Sequence, residues 1–120
     1  MKPCLLLIAA TLLYTSVSAQ KLKTGTYTFN YCDLEYADNN CIGTCKVVIK
    51  GDSITVYATK KLAETRTFTK EGDIIDKGII LKHKSGKWII GKTKKDINVE
   101  QIGVEGPAII DFTKKKYWTF

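Results

Sequence analysis

The feature that most constrains this chain is a hairpin written at period two. Residues 45–50 and 53–59 alternate apolar with polar side chains, and Gly51-Asp52 stands between them. A two-residue loop with Gly first suits a type II′ turn, whose twist matches that of the flanking strands. The turn sets Ile49 opposite Ile54, Val47 opposite Val56 and Cys45 opposite Ala58, with all six on one face. Slipping the register by one residue would turn that apolar set to water, so pattern and turn specify the same pairing.

Similar patterning continues along the chain. Residues 26–31 place Tyr27, Phe29 and Tyr31 on one face and small polar residues on the other. Residues 64–70 alternate Thr65, Thr67 and Thr69 with Arg66 and Phe68, which reads as a weaker strand. Glu71-Gly72 reads as a turn, Ile74-Ile75 as a short strand and Lys77-Gly78 as a break or bulge. Residues 79–83 and 87–92 form a second hairpin around Ser85-Gly86, with Leu81 facing Ile90 and His83 facing Trp88. Residues 93–107 read as a long loop. Residues 108–112 and 117–120 close the chain as a last hairpin. Residues 60–64 allow at most one helical turn. The fold class expected is all-β, a small antiparallel meander barrel or sandwich of about 7–8 strands. Closing the barrel by pairing the last strand with the first would remove exposed edges.

A different signal precedes this domain. Met1-Lys2 is a short basic start, residues 4–13 are apolar apart from Thr11, and Val17 and Ala19 are small residues at the positions a signal peptidase reads. That is a cleavable secretory signal over residues 1–19, expected as an apolar helix, leaving a single all-β domain over residues 20–120. The apolar run is too short to span a bilayer, and the mature part contains no transmembrane span. The chain has 19 basic and 12 acidic residues, and losing Lys2 leaves a net charge of +6. Secreted or periplasmic location follows from the signal, and an anionic polymer suits the charge as a partner.

Export makes a disulfide expected, and removal of Cys4 leaves Cys32, Cys41 and Cys45. Alternation puts Cys45 on the core face with Val47 and Ile49, and Cys32 on the outer face with Thr28 and Asn30. Parity therefore favours Cys32–Cys41, with Cys41 reaching out from a loop and Cys45 left as a buried thiol. Cys32–Cys45 is the alternative and requires a one-residue slip or bulge. Cysteine spacings of nine and four, with one His in the chain, match no zinc pattern, so neither metal nor cofactor is expected.

No catalytic residue is assigned. A small basic ribonuclease would need Glu64 or Glu71 as base, His83 as acid and Arg66 on phosphate, and no spacing singles these out. No G-x-S-x-G and no phosphate-cradling Gly motif occurs. The basic residues are more suggestive. Lys82, Lys84, Lys87, Lys92, Lys94 and Lys95 crowd the second hairpin and its exit, and Lys114, Lys115 and Lys116 cluster at the last turn. If both turns open on one rim, they make a positive patch beside Trp88, Tyr117 and Trp118, which offer flat faces to sugars or bases. The plainer reading is a row of solvated lysines guarding exposed strands.

Residues 47–53 (VVIKGDS) and 78–91 (GIILKHKSGKWIIG), with the Ala19-Gln20 junction, resemble segments of small uncharacterised exported proteins of Gram-negative bacteria. The resemblance implies a periplasmic or cell-surface setting and transfers no functional residue. The expected function is an exported, non-enzymatic β domain with a binding or structural role at the envelope through a basic rim. One alternative is a barrel-cavity binder of a small apolar ligand, lined by Tyr27, Phe29, Tyr31, Val47, Ile49, Ile54, Val56, Leu81, Trp88 and Ile90. Another is an inhibitor or immunity-type partner of a second exported protein.

Overall fold

Seven strands close into a barrel in the computed structural model, which describes residues 20–33 and 41–119. They are β1 (Gly25–Asp33), β2 (Cys41–Lys50), β3 (Ser53–Ala58), β4 (Ile74–Lys82), β5 (Trp88–Gly91), β6 (Ala108–Asp111) and β7 (Lys116–Thr119). Each strand pairs antiparallel with the next, but β1 and β7 close the barrel in parallel, with Tyr31 opposite Tyr117. The barrel is therefore mixed, correcting the purely antiparallel expectation. The cause is arithmetic: in an up-and-down meander of odd strand number, first and last strands run the same way. The expected helix over residues 1–19 lies outside the described residues.

The β2–β3 hairpin has the register its turn dictates, Ile49 to Ile54, Val47 to Val56 and Cys45 to Ala58. Gly51 has a φ of +60°, the left-handed value a II′ turn needs at its first central residue. The inward face of every strand joins one buried cluster that includes Phe29, Tyr31, Val47, Ile49, Ile54, Val56, Ile80, Ile90, Ile110 and Tyr117. Side chains thus fill the middle of the barrel.

The second hairpin departs from expectation. Ile80 pairs with Ile90, Leu81 with Ile89 and Lys82 with Trp88, so Leu81 points outward and His83 is a turn residue. Both faces are apolar here, and pattern alone does not choose between them. The outer pair Leu81 and Ile89 is protected by the connection after β5, whose 3-10 helix, Lys94–Asn98, lies against β4 and β5. Ile89 is fully buried although it faces away from the barrel interior. His83 fastens this cover. Its Nδ1 accepts from the Ser85 backbone N–H at 3.1 Å, so Nε2 carries the proton and donates to the Val99 carbonyl at 2.7 Å.

Residues 64–70 do not form a strand, because the β3–β4 connection is used to plug the barrel. Helix α1 (Lys60–Thr65) is capped by Thr59, whose Oγ1 accepts from the Leu62 N–H at 3.2 Å. Leu62 is the one buried residue of α1 and joins the interior cluster beside Ala58 and Cys45. The chain then turns through Phe68, fully exposed at a φ of +66°, and Gly72 at +90°. Strand β4 is continuous through Lys77-Gly78. Its irregularity falls earlier in the strand, where Val56 pairs with Asp76 and Tyr57 with Ile74. Gly78 serves close approach instead: a Cβ there would run into the Gly91 carbonyl oxygen across the β4–β5 pair.

Cys32 and Cys41 form a disulfide and Cys45 is a buried free thiol. Cys41 opens β2 and is a strand residue, which corrects its placement in a loop. Tyr31 pairs with Gly43 and Cys32 with Cys41, leaving Ile42 unpaired between them. That bulge reverses the facing of Cys41 relative to Cys45, and so brings it onto the outer face where Cys32 lies.

Candidate binding cavity at the open end

The meander sorts its connections between two ends. Helix α1 and Leu62 close one. The β2–β3, β4–β5 and β6–β7 turns and the start of β1 share the other. At this second end the inward alternation of β4, β5 and β6 finishes in Lys82, Trp88 and Phe112 in place of small aliphatic residues. Trp88 meets Phe112 edge to face at 5.8 Å, and Phe112 meets Phe29 at 6.3 Å, so the mouth is floored by aromatic rings. Lys82 Nζ lies 5.4 Å from the centre of the Trp88 ring, a cation resting on a π face.

A cavity of about 450 Å³ opens beside this floor and extends onto the outer face of β6 and β7, where Ile109 and Trp118 pair. Its walls are Lys82, Gly86 and Lys87 from the first turn, Ile109 to Lys114 from the second, and Trp88, Trp118 and Gln20. A second cavity of about 440 Å³ adjoins it, shares Gln20, Phe112 and Thr113, and adds Lys21, Leu22, Lys23 and Tyr27. Both volumes fall in the range of small-molecule sites. The segment ahead of β1 is tied down as a strap across the mouth. Lys21 Nζ donates to the Gly51 carbonyl at 3.0 Å and pairs with Asp52, Thr24 Oγ1 accepts from Gly51 N–H at 2.9 Å, and Tyr27 OH donates to the Lys23 carbonyl at 2.7 Å. The bond from Lys21 holds the Asp52 carboxyl below its usual range.

The nine lysines singled out in the sequence divide by place. Lys82, Lys87 and Lys114 line the first cavity, and among the described residues none of them is in an ion pair. Lys84 is paired with Glu100 at 3.2 Å, and Lys92 with Asp76 at 3.0 Å. Lys94 and Lys95 stand on the 3-10 helix. Lys115 forms the β6–β7 turn at a φ of +52°, and Lys116 lies 5.9 Å from the centre of the Trp118 ring on β7.

Of the aromatic residues, Trp88 and Trp118 belong to the cavity wall and Tyr117 does not. Tyr117 is buried in the barrel, its ring centre 5.6 Å from that of Tyr31 and tilted 37° to it, and donates its OH to Asp76 at 2.9 Å. Burial first, and the Asp76 charge second, push its phenol above the ordinary value. Trp118 Nε1 is buried without a hydrogen-bond partner among the described residues.

Phe112, Asp111 and Gln20 also shape the site without having been singled out for it, and Tyr27, expected to line the barrel interior, lines the second cavity. Phe112 was legible as the inward residue after Ala108 and Ile110. Asp111 arranges the turn, since its Oδ1 accepts from the N–H groups of Thr113 at 2.9 Å and Lys114 at 2.8 Å. The residues weighed for ribonuclease chemistry do not share a site: Glu64, Arg66 and Glu71 lie in the connection at the plugged end and His83 in a turn at the other. Arg66 rests over the Tyr31 ring at 5.2 Å. Among the described residues no helix is long and apolar enough to cross a membrane, and no three His, Cys, Asp or Glu gather as metal ligands. Compared with protein-family models, curated proteins and solved structures, the chain matches none.

Proposed function

We propose that this is an exported, non-enzymatic β domain of the cell envelope that binds an anionic polymer at the open end of its barrel. One observation carries the reading: three lysines without ion pairs among the described residues and two indoles surround a single cavity of about 450 Å³. Lysine ammonium groups supply point charges for carboxylate or sulfate, and Trp88, Trp118 and Phe112 supply flat apolar surface for a sugar ring. The only Arg in the chain is Arg66, at the plugged end. A mouth without a guanidinium fork suits an acidic polysaccharide better than closely spaced phosphates. The barrel interior is filled by its own side chains, which favours the mouth over the interior as the place for a ligand. The disulfide, the signal-like start and the resemblance to exported Gram-negative proteins support an oxidising, extracytoplasmic setting.

The test is retention on an immobilised polyuronate. The wild type is expected to bind at low salt and to elute as salt screens the lysines. The variant Lys82→Gln, Lys87→Gln, Lys114→Gln should elute at clearly lower salt, while Lys84→Gln, Lys94→Gln, Lys95→Gln should elute nearer the wild type. Retention indifferent to salt, or equal loss in the two triple variants, would sink the reading.

A further inference from the structure

Signal cleavage after Ala19 would leave Gln20 as the amino terminus, and Gln20 is the residue both cavities share at their divide along with Phe112 and Thr113. Among the described residues neither its backbone nor its side chain is engaged in a hydrogen bond, and it is exposed. Its neighbour Lys21 is anchored to the β2–β3 turn through Gly51 and Asp52, so the strap holds Gln20 at the mouth while leaving its own atoms free. An amino-terminal glutamine with both groups free has a reaction open to it. The α-amine, once deprotonated, presents its lone pair to the side-chain amide carbon, with which it can close a five-membered ring.

The geometry points to Gln20 as a modification site: after export its α-nitrogen closes on its own Cδ, and the mature chain begins with a pyroglutamyl lactam that forms part of the cavity wall. The N–Cδ bond forms, the Cδ–Nε2 bond breaks, and the side-chain nitrogen leaves as ammonia, which carries off the proton of the α-ammonium as ammonium ion. No oxidant or other reactant is consumed. The lactam removes a positive charge from the mouth, so the charge presented to a ligand is that of the lysine side chains. It also leaves a flat, neutral ring with one N–H and one C=O between the two cavities. Cyclisation rests on the cleavage reading and does not depend on which ligand binds.

The experiment is intact-mass and tandem mass spectrometry of the protein recovered after expressing the full chain for export in a Gram-negative host. The expected product starts at residue 20, is lighter by one ammonia than the plain chain 20–120 with its disulfide, and resists stepwise amino-terminal sequencing. The variant Gln20→Ser should start at residue 20 with an open amine and sequence normally. A wild-type chain that starts at Gln20 and keeps its amine, even after incubation with a glutaminyl cyclase, overturns the cyclisation and leaves the cleavage reading standing. A chain that starts elsewhere, or keeps residues 1–19, overturns both, and the mass separates the two failures.

Discussion

The plugged end of the barrel offers a quantitative test of how the fold is held. Leu62 is the one buried side chain of α1, with no exposed surface, and it sits directly over Gly43 of β2. Leu62→Ala removes its apolar contacts and leaves a void that a capped, strand-bound helix cannot readily collapse. A loss of about 3 kcal/mol is expected, typical of fully buried leucines. For a domain of this size that is a fall in Tm of about 12–24 °C. Gly43→Ala acts on the same spot from the other side. Its new Cβ would stand 3.1 Å from Leu62 Cδ1 and 3.3 Å from Leu62 Cα. The side-chain end can yield and the backbone cannot, so this change should cost about 1 kcal/mol through overpacking. The two changes must then couple. With Leu62 truncated, the contact to Cδ1 goes while those to Cα and Cβ stay, so the double variant should lose less than the sum by about 0.5 kcal/mol. Urea unfolding followed by circular dichroism measures all four corners of this cycle, with a constant m-value as the check on two-state behaviour. Additivity within about 0.3 kcal/mol, or a Leu62→Ala loss under about 1 kcal/mol, would show that α1 does not plug the barrel.

Three further outcomes are expected. Burial pushes the Cys45 thiol from an ordinary 9.0 up to about 12. The folded state holds the proton more tightly than the unfolded chain, so this contribution is complete below pH 9 and is lost as pH rises from there towards 12, by about 1.4 kcal/mol per pH unit. Tyr117 and Tyr31, also raised by burial, add losses of the same sign above pH 10. Between pH 9 and 10 the urea midpoint of the wild type should therefore fall more steeply than that of Cys45→Ala, and parallel slopes would refute the assignment. Reducing Cys32–Cys41, which closes a short loop, should cost about 2–3 kcal/mol on a chain-entropy account, read as a lower urea midpoint in dithiothreitol; an unchanged midpoint would contradict it. His83→Ala frees the Val99 carbonyl and the Ser85 N–H, so a loss of about 1–3 kcal/mol should appear with faster amide exchange in residues 93–107 than in β1–β3; uniform acceleration would show that His83 does not fasten that cover.

What the sequence makes legible here depends on the range over which each feature is decided. The β2–β3 hairpin is decided within about a dozen residues by Gly51 and by an alternation with one apolar face, and its register is readable to the residue. The β4–β5 pairing is not, because Ile79-Ile80-Leu81 and Ile89-Ile90 are apolar on both faces. The choice between them is made by the 92–107 segment, which covers the outer row through His83 and Val99. Residues 64–70 have strand-like alternation, yet Phe68 is their single large apolar residue and takes no core position, so Thr59 and Leu62 divert the connection into a plug. The disulfide is readable from parity, although the bulge at Ile42 that aligns it is not. At the mouth, residue type identifies Lys82, Lys87, Lys114, Trp88 and Trp118 as a group worth watching. Only closure of the barrel separates them from Lys84 and Lys92, whose carboxylate partners are 16 residues away in sequence.

The odd strand number ties these observations together. With seven strands the first and last run parallel, so the chain enters the barrel at one end and β7 runs out at the other. Three of the six connections and the entering strap then lie at the mouth; the other three leave the barrel at the plugged end with α1, the disulfide and Arg66, and the β5–β6 connection runs back along the outer face to His83. An even-stranded meander would bring both chain ends to the same rim, to compete for the space in which the cavity now opens. Among the described residues the entering strap reaches that rim and the end of β7 does not, and the strap is pinned by Lys21, Thr24 and Tyr27 to the turn and strand beside it. The plugged end can therefore be rigid and the mouth chemically varied without either demand falling on the same residues. Leu62, Ala58 and Cys45 answer to fit at one end, while at the other Phe112 completes the core and Lys82, Lys87 and Lys114 stand clear of it.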